Sequence, residues 1–269
     1  LAEHPDVDKI SFTGSTEVGR SIVRASAGNL KRVTLELGGK SPSIVTANAD
    51  LEKAVEGNLM GNVLNSGQVC AAYSRFYVHA SVVDEFTRRL AEAAARLRIG
   101  DGLDERTVLG PLNSAEQLAR VERYVQTARD EGATILSGGS RPGGELAAGY
   151  FFEPTVVADV RDDMTIVREE IFGPVMPVMS YDSVDDLVAR ANDTEYGLAA
   201  AIWTTDLNEA HELAARIDAG AVYVNMLPIP DPAAPWGGFK ASGWGREMGE
   251  AALGEYLEEK GVWIGGLDL

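Results

Sequence analysis

Short runs of alternating or continuous apolar residues recur along the chain, separated by stretches with helical spacing of apolar and polar positions. Lys9 to Thr13 reads as a strand that runs through Gly14-Ser15-Thr16 into a helix from Glu17 to about Ala27. Lys31 to Leu37 reads as a second strand, with Val33, Leu35 and Leu37 on one side and Arg32, Thr34 and Glu36 on the other. Residues 1–37 therefore predict a βαβ unit, and Gly38-Gly39 ends it. Strands are expected at Ser43–Thr46, Arg75–His79, Val175–Ser180, Ala199–Trp203 and Ala221–Val224. Helices are expected at Leu51–Leu64, at Val82–Leu97, from Ser114 to about Glu131, and from about Val184 and Leu207. Ser114 is the expected N-cap, with Gln117 completing a capping box. Residues 100–113, 138–149 and 226–246 are rich in Gly, Pro or Asp and read as loops. Glu255–Ile264 reads as a final edge strand. Strands alternating with amphipathic helices predict an α/β fold with a largely parallel sheet.

Composition narrows the classes. The chain has 269 residues, 45% hydrophobic and 24% charged, which suits a globular protein with a sizeable core. Its formal net charge is −17, so no nucleic acid and no anionic membrane surface is an expected partner. Apolar runs fall far short of a membrane span. There is one cysteine, so no intrachain disulfide framework exists. The opening Leu1-Ala2-Glu3-His4-Pro5 reads as a chain entered partway through.

Four local motifs can carry chemistry. Cys70 lies in Asn65-Ser66-Gly67-Gln68-Val69-Cys70-Ala71-Ala72, after a helix-ending glycine and among small residues that leave it approachable. A thiolate there can attack a carbonyl carbon, with its own backbone N–H near the developing oxyanion. A free cysteine also packs as a small hydrophobe, and no cationic neighbour is visible locally. Glu36 ends a strand at the Gly-Gly break, where clefts form in α/β folds. It reads either as a solvated carboxylate or as a general base. Phe12-Thr13-Gly14-Ser15-Thr16-Glu17-Val18-Gly19 joins a strand to a helix start, a place that suits a phosphate or is simply a tight turn. Glu169-Glu170-Ile171-Phe172-Gly173-Pro174 is either a solvated corner or a carboxylate placed to accept ribose hydroxyls.

Together these motifs resemble the aldehyde dehydrogenase superfamily. Leu35–Pro42 looks like the family's glutamate signature and Val63–Ser74 like its cysteine signature. Phe12–Gly19, Glu169–Val175, Asn192–Leu198 and the run from Pro235 to Gly243 follow in the family's order. The resemblance implies an aldehyde dehydrogenase-like fold: a mostly parallel-sheet catalytic domain with a partial dinucleotide-binding βαβ remnant. Residues 1–38 would be the remnant, 39–240 the catalytic domain, and 241–269 a C-terminal return segment with an oligomerisation strand.

The resemblance also implies roles. Cys70 would be the nucleophile and Glu36 the base that activates hydrolytic water. Gly14 and Ser15 would lie beside the pyrophosphate of NAD or NADP, Glu170 would hold the nicotinamide ribose, and Phe172 would pack near the ring. Glu247 would relay protons. Leu64, Val69, Ala71, Met226, Pro228 and Pro230 would line the substrate tunnel. Their apolar character implies an uncharged aliphatic or aromatic aldehyde as the small-molecule partner. No metal is implied. A homo-oligomer is implied for the full-length form, and the cytoplasm is the expected compartment.

Full-length members are about twice as long. The resemblance covers their C-terminal portion, without most of the dinucleotide-binding sheet, the asparagine that completes the oxyanion hole, or the lysine on the adenosine ribose. Two further readings therefore stand beside the dehydrogenase: a truncated, non-catalytic interaction chain, and a residual esterase. NAD and NADP are not separated, because the residues that read the ribose would lie upstream.

Overall fold

A computed structural model describes residues 1–266. Strand β1 (Lys9–Thr13) leads through Gly14 into α1 (Thr16–Ser26), which Ser15 caps by accepting from the Val18 N–H at 3.3 Å. Strand β2 (Arg32–Glu36) returns parallel to β1, with Thr13 opposite Glu36. The expected βαβ unit is therefore present.

The larger layer follows in chain order: β3 (Ser41–Val45), α2 (Leu51–Val63), β4 (Tyr73–His79), α3 (Val83–Ala95), α4 (Ala115–Asp130), β5 (Thr134–Ser137) and β6 (Thr155–Ala158). Then come α5 (Thr165–Arg168), β7 (Val175–Tyr181), α6 (Val184–Asn192), β8 (Tyr196–Gly197), β9 (Ala199–Trp203), α7 (Leu207–Arg216) and β10 (Ala221–Val224). Short pieces β11 (Phe239–Lys240), β12 (Gly243–Trp244) and α8 (Ala251–Gly254) complete the described elements.

Seven strands form one sheet in the order β10-β9-β3-β4-β7-β6-β5, parallel throughout except for β5 against β6. Its strands are apolar on both faces because helices cover both. Ile44, Tyr77, Met179 and Ile202 pack on one face with α4, α6 and α7. Their chain neighbours Val45, Phe76, Val78, Val178 and Trp203 pack on the other with α2 and α3.

A three-stranded sheet, β1-β2-β12, sits apart from it. Here β12 runs antiparallel to β2, pairing Gly243 with Glu36 and Trp244 with Leu35. A Cβ on Gly243, whose φ is +123°, would collide with the Leu35 carbonyl, so the close pairing requires glycine. Leu35 and Leu37 are 2% and 5% exposed, so this apolar side of β2 is covered from within the chain.

Three sequence expectations are corrected. The edge strand over 255–264 does not form. Residues 255–256 turn after α8 and the chain then runs without regular structure, with Leu257, Val262, Trp263 and Ile264 exposed. A strand needs a partner ladder, and no described strand offers one there. The C-terminal residues 267–269 of the expected return segment lie outside the described residues. Strands β5 and β6 add to the expected set and pair antiparallel around the glycine-rich loop. Gln117 completes only half of a capping box: its N–H donates to Ser114 Oγ, while its side chain reaches elsewhere.

Candidate active site

Four loops converge at the C-terminal ends of β1 and β2 and ahead of the starts of β3, β4 and β7. They enclose a cleft of about 560 Å³. Its walls carry Gly14, Ser15, Glu36, Val69, Cys70, Glu170 and Phe172, all singled out above, together with Gln68, Gln117 and Arg120, which sequence reasoning missed.

Cys70 is delivered by an abrupt reversal after α2. Asn65, Ser66 and Gly67 have φ values of 49°, 60° and 76°, three consecutive left-handed residues. A Cβ on Gly67 would strike the carbonyl of Gly173, so the loop closes tightly on the 169–174 corner. Gln68 pins the reversal: its side-chain nitrogen donates to Asn65 O at 3.0 Å, and its Oε1 accepts from the Asn113 N–H at 2.9 Å. Burial pushes the Cys70 thiol up, the Ala71 N–H opposes the rise, and the carboxylates of Glu170 and Glu36 add to it. The resting group is therefore a thiol, and a base must take its proton.

Glu36 is 3% exposed, and its Oε2 is buried without a partner. The strand alternation that reads as a solvated face fails here because β12 and the 235–247 segment cover it. Burial, then the Glu247 carboxylate, raises its pKa to about 8, with Arg246 opposing. Glu247 is half-buried and accepts from Ser11 Oγ at 3.4 Å. Its backbone pairs with Trp236 through two bonds of 2.7 Å.

Glu170 wraps the glycine pair. Its Oε1 accepts from the Gly39 N–H at 3.1 Å, and a Cβ on Gly38 would collide with its Oε2. A Cβ on Gly39 would meet the Cys70 carbonyl. The corner carrying Glu170 is held from α4. Gln117 Nε2 donates to Ile171 O and Phe172 O at 3.0 and 2.7 Å, and Arg120 donates to Glu170 O at 2.6 Å. Phe172 has a left-handed φ of 58°. Desolvation raises the Glu170 pKa, offset by the Gly39 N–H and by the charges of Lys40 and Arg120. Lys40 itself is 1% exposed, with its ammonium unpartnered. Burial, reinforced by the neighbouring Arg75 guanidinium, lowers its pKa to about 7.

The six tunnel residues divide. Val69 lines the cleft. Ala71 lies beneath it, in a buried cluster with Leu198, Ala199, Tyr223 and Trp236 against which Cys70 packs. Leu64 and Met226 are 40% and 48% exposed, Pro228 is buried and Pro230 half-buried. None of these four reaches the cleft wall; Met226 is instead tied to β4, its carbonyl accepting from the Tyr73 hydroxyl at 2.7 Å. Tyr223 and Trp236 are the aromatic neighbours of Cys70 that the sequence did not reveal. Their only sequence signal is an aromatic at the end of one strand and another in the Pro-Trp-Gly-Gly run.

A dinucleotide fits what is present. Gly14 and Ser15 bring the start of α1 to the cleft, where free helix amides favour phosphate oxygens. The Glu170 carboxylate keeps acceptor capacity beyond its one bond to Gly39. Among the described residues no cluster of His, Cys, Asp or Glu suits a metal ion, and no helix is long and apolar enough to cross a membrane.

This cleft, set between a βαβ unit and a mostly parallel sheet, defines an α/β protein with a thiol and a buried carboxylate at its centre. The aldehyde dehydrogenase family profile matches residues 1–262, and the chain belongs to that family. It is 51% identical over 264 residues to a Bacillus subtilis protein named putative aldehyde dehydrogenase DhaS. It is 47% identical over 265 residues to a betaine aldehyde dehydrogenase of Rhizobium leguminosarum. In each case 98% of this chain is covered, against 53% and 54% of the relative. An NAD+ complex of aldehyde dehydrogenase from Bacillus cereus superposes with a TM-score of 0.94 at 46% identity, covering 98% of this chain and 53% of that one. The chain spans about half the length of the relatives it matches.

Proposed function

We propose that this chain carries the catalytic half of an NAD(P)-dependent aldehyde dehydrogenase that converts an aldehyde to its carboxylic acid. The observation that carries this reading is that Cys70 and Glu36 face one cleft with Gly14, Ser15, Glu170 and Phe172. Residues 1–38 and 241–247 frame the cofactor side, and residues 39–240 supply the nucleophile.

Glu36 takes the proton from the Cys70 thiol, and the thiolate adds to the aldehyde carbon to give a thiohemiacetal. The backbone amide at Cys70 donates to the oxyanion. NAD(P), when bound, supplies the hydride acceptor through which this adduct becomes a thioester on Cys70. The start of α1 would hold its pyrophosphate, Glu170 its nicotinamide ribose, and Phe172 would pack near its ring. Once that first proton has left Glu36, the freed carboxylate removes a proton from water, which attacks the thioester; the adduct collapses to the carboxylic acid and the Cys70 thiolate, which takes the proton back from Glu36 as the thiol. Glu247, whose charge already acts on Glu36, passes the proton outward. A pKa of about 8 leaves Glu36 partly ionised near neutrality, as a base that is reprotonated each cycle requires.

The substrate reading is an uncharged aliphatic or aromatic aldehyde, supported by the apolar cluster of Ala71, Leu198, Tyr223 and Trp236 beside Cys70. The names of several relatives point instead to betaine aldehyde. Aromatic faces can also hold a quaternary ammonium group. Assembly as a homo-oligomer and action in the cytoplasm belong to the same proposal. A dehydrogenase assay with NAD and NADP over neutral aldehydes and betaine aldehyde tests it, run on this chain and on a chain extended to the relatives' length. No oxidation by either chain would refute the function, and a preference for betaine aldehyde would refute the substrate class.

A further inference from the structure

Behind the Cys70 loop lies a second, smaller cavity with room for one water-sized sphere, about 10 Å³. Asn62, Ser74 and Glu170 reach its wall, with Gly39, Val69 and Gly173 around them. Asn62 is fully buried. Its amide nitrogen donates to Tyr73 O at 2.8 Å and Val175 O at 3.2 Å, which ties α2 to β4 and β7, while its Oδ1 has no partner. The Ser74 hydroxyl is buried and equally unpartnered. Glu170 accepts only the Gly39 N–H. Two buried, unpartnered oxygens, Asn62 Oδ1 and Ser74 Oγ, and a carboxylate with spare acceptor capacity thus line a void of one water's size, and such voids hold water when they are polar.

We infer that this cavity holds one ordered water that joins Asn62 Oδ1, the Ser74 hydroxyl and the Glu170 carboxylate, making Asn62 and Ser74 positioning residues for Glu170. A water satisfies every group at once. It donates to the Asn62 amide oxygen and to the carboxylate, and it accepts from the Ser74 hydroxyl. A cation would leave the acceptors paired but would turn the Ser74 proton away without an acceptor. An empty cavity would strand two buried polar atoms, Asn62 Oδ1 and Ser74 Oγ. The bridge gives Glu170 a second anchor opposite Gly39, so its carboxylate is fixed from both sides of the glycine pair. The functional part of the inference rests on the reading that Glu170 contacts the cofactor.

A high-resolution crystal structure of this chain and of Ser74→Ala tests it, alongside calorimetric titration with NAD of the same pair extended to the relatives' length. The expected map of the parent shows one fully occupied water within hydrogen-bond reach of all three groups. In Ser74→Ala that water weakens or leaves and the Glu170 carboxylate shifts off the Gly39 N–H. The NAD Kd then rises about two- to tenfold, the worth of one hydrogen bond. A dry cavity, an anomalous signal after a rubidium or thallium soak, or an unmoved Glu170 in Ser74→Ala would overturn the inference. An extended parent with the water in place, whose NAD affinity does not change in Ser74→Ala although Glu170 has shifted, would overturn the cofactor role of Glu170 and leave the water bridge standing.

Discussion

Replacing Glu36 by Gln should flatten one component of the protein's acid–base stability profile. In the folded chain Glu36 holds its proton up to about pH 8, whereas its ordinary value is 4.5. Between those values the folded state binds more protons than the unfolded state, so stability falls as pH rises. Each pH unit inside the window is worth about 1.4 kcal/mol, so from pH 5 to pH 7 the loss is about 2–3 kcal/mol. That corresponds to roughly 5–10 °C in Tm for a chain of this size. Lys40 works with the opposite sign above pH 7, because burial lowers its pKa from 10.5 to about 7 and the unfolded state then binds the extra proton. The test therefore stays below pH 7 and compares two chains. Thermal unfolding of parent and Glu36→Gln is followed by circular dichroism at pH 5, 6 and 7. The variant's Tm should gain on the parent's by that amount over the window. A constant gap would show that Glu36 titrates normally and that its burial does not set its charge.

Cys70→Ala should abolish aldehyde oxidation and ester hydrolysis by many orders of magnitude, since the chain has no second thiol; retained activity with either substrate would remove Cys70 from the mechanism. Gly39→Ala places a methyl against the Cys70 carbonyl, so it should displace the nucleophile loop and lower the Cys70 alkylation rate by iodoacetamide; an unchanged rate would mean the loop yields freely. Lys40→Met removes a buried, unpartnered ammonium and should raise the Tm at pH 6, the gain fading towards pH 10; a drop in Tm at pH 6 would show that the ammonium stabilises the fold. The parent chain should self-associate in light scattering, because the outer edge of β1 and the apolar side chains of Leu257, Val262 and Trp263 are exposed; a monodisperse monomer at tens of micromolar would refute this.

Local pattern carried much of the fold. The β1-α1-β2 unit and strands β3, β4, β7, β9 and β10 each announce themselves through apolar runs bounded by breakers, and their boundaries lie within a few residues of expectation. What escaped depends on distant chain. Glu36 reads as a solvated strand residue until Gly243 arrives from more than two hundred positions away to cover it. Gln117 fits a capping box locally, yet its side chain is claimed by the carbonyls of Ile171 and Phe172. Tyr223 and Trp236 join Cys70 only through tertiary packing. The expected strand at 255–264 shows the reverse case, a sequence with strand character and no partner strand among the described residues.

The pairing of β12 with β2 also has a kinetic meaning. It closes a loop of about two hundred residues, among the longest-range contacts in the molecule, and such contacts form late because chain entropy opposes them until the intervening layers are in place. Until that pairing forms, the Glu36 carboxylate lacks the cover that β12 gives it. It acquires its high proton affinity only when the C-terminal return docks. A chain stalled before that step would hold Glu36 without the cover that sets its proton affinity.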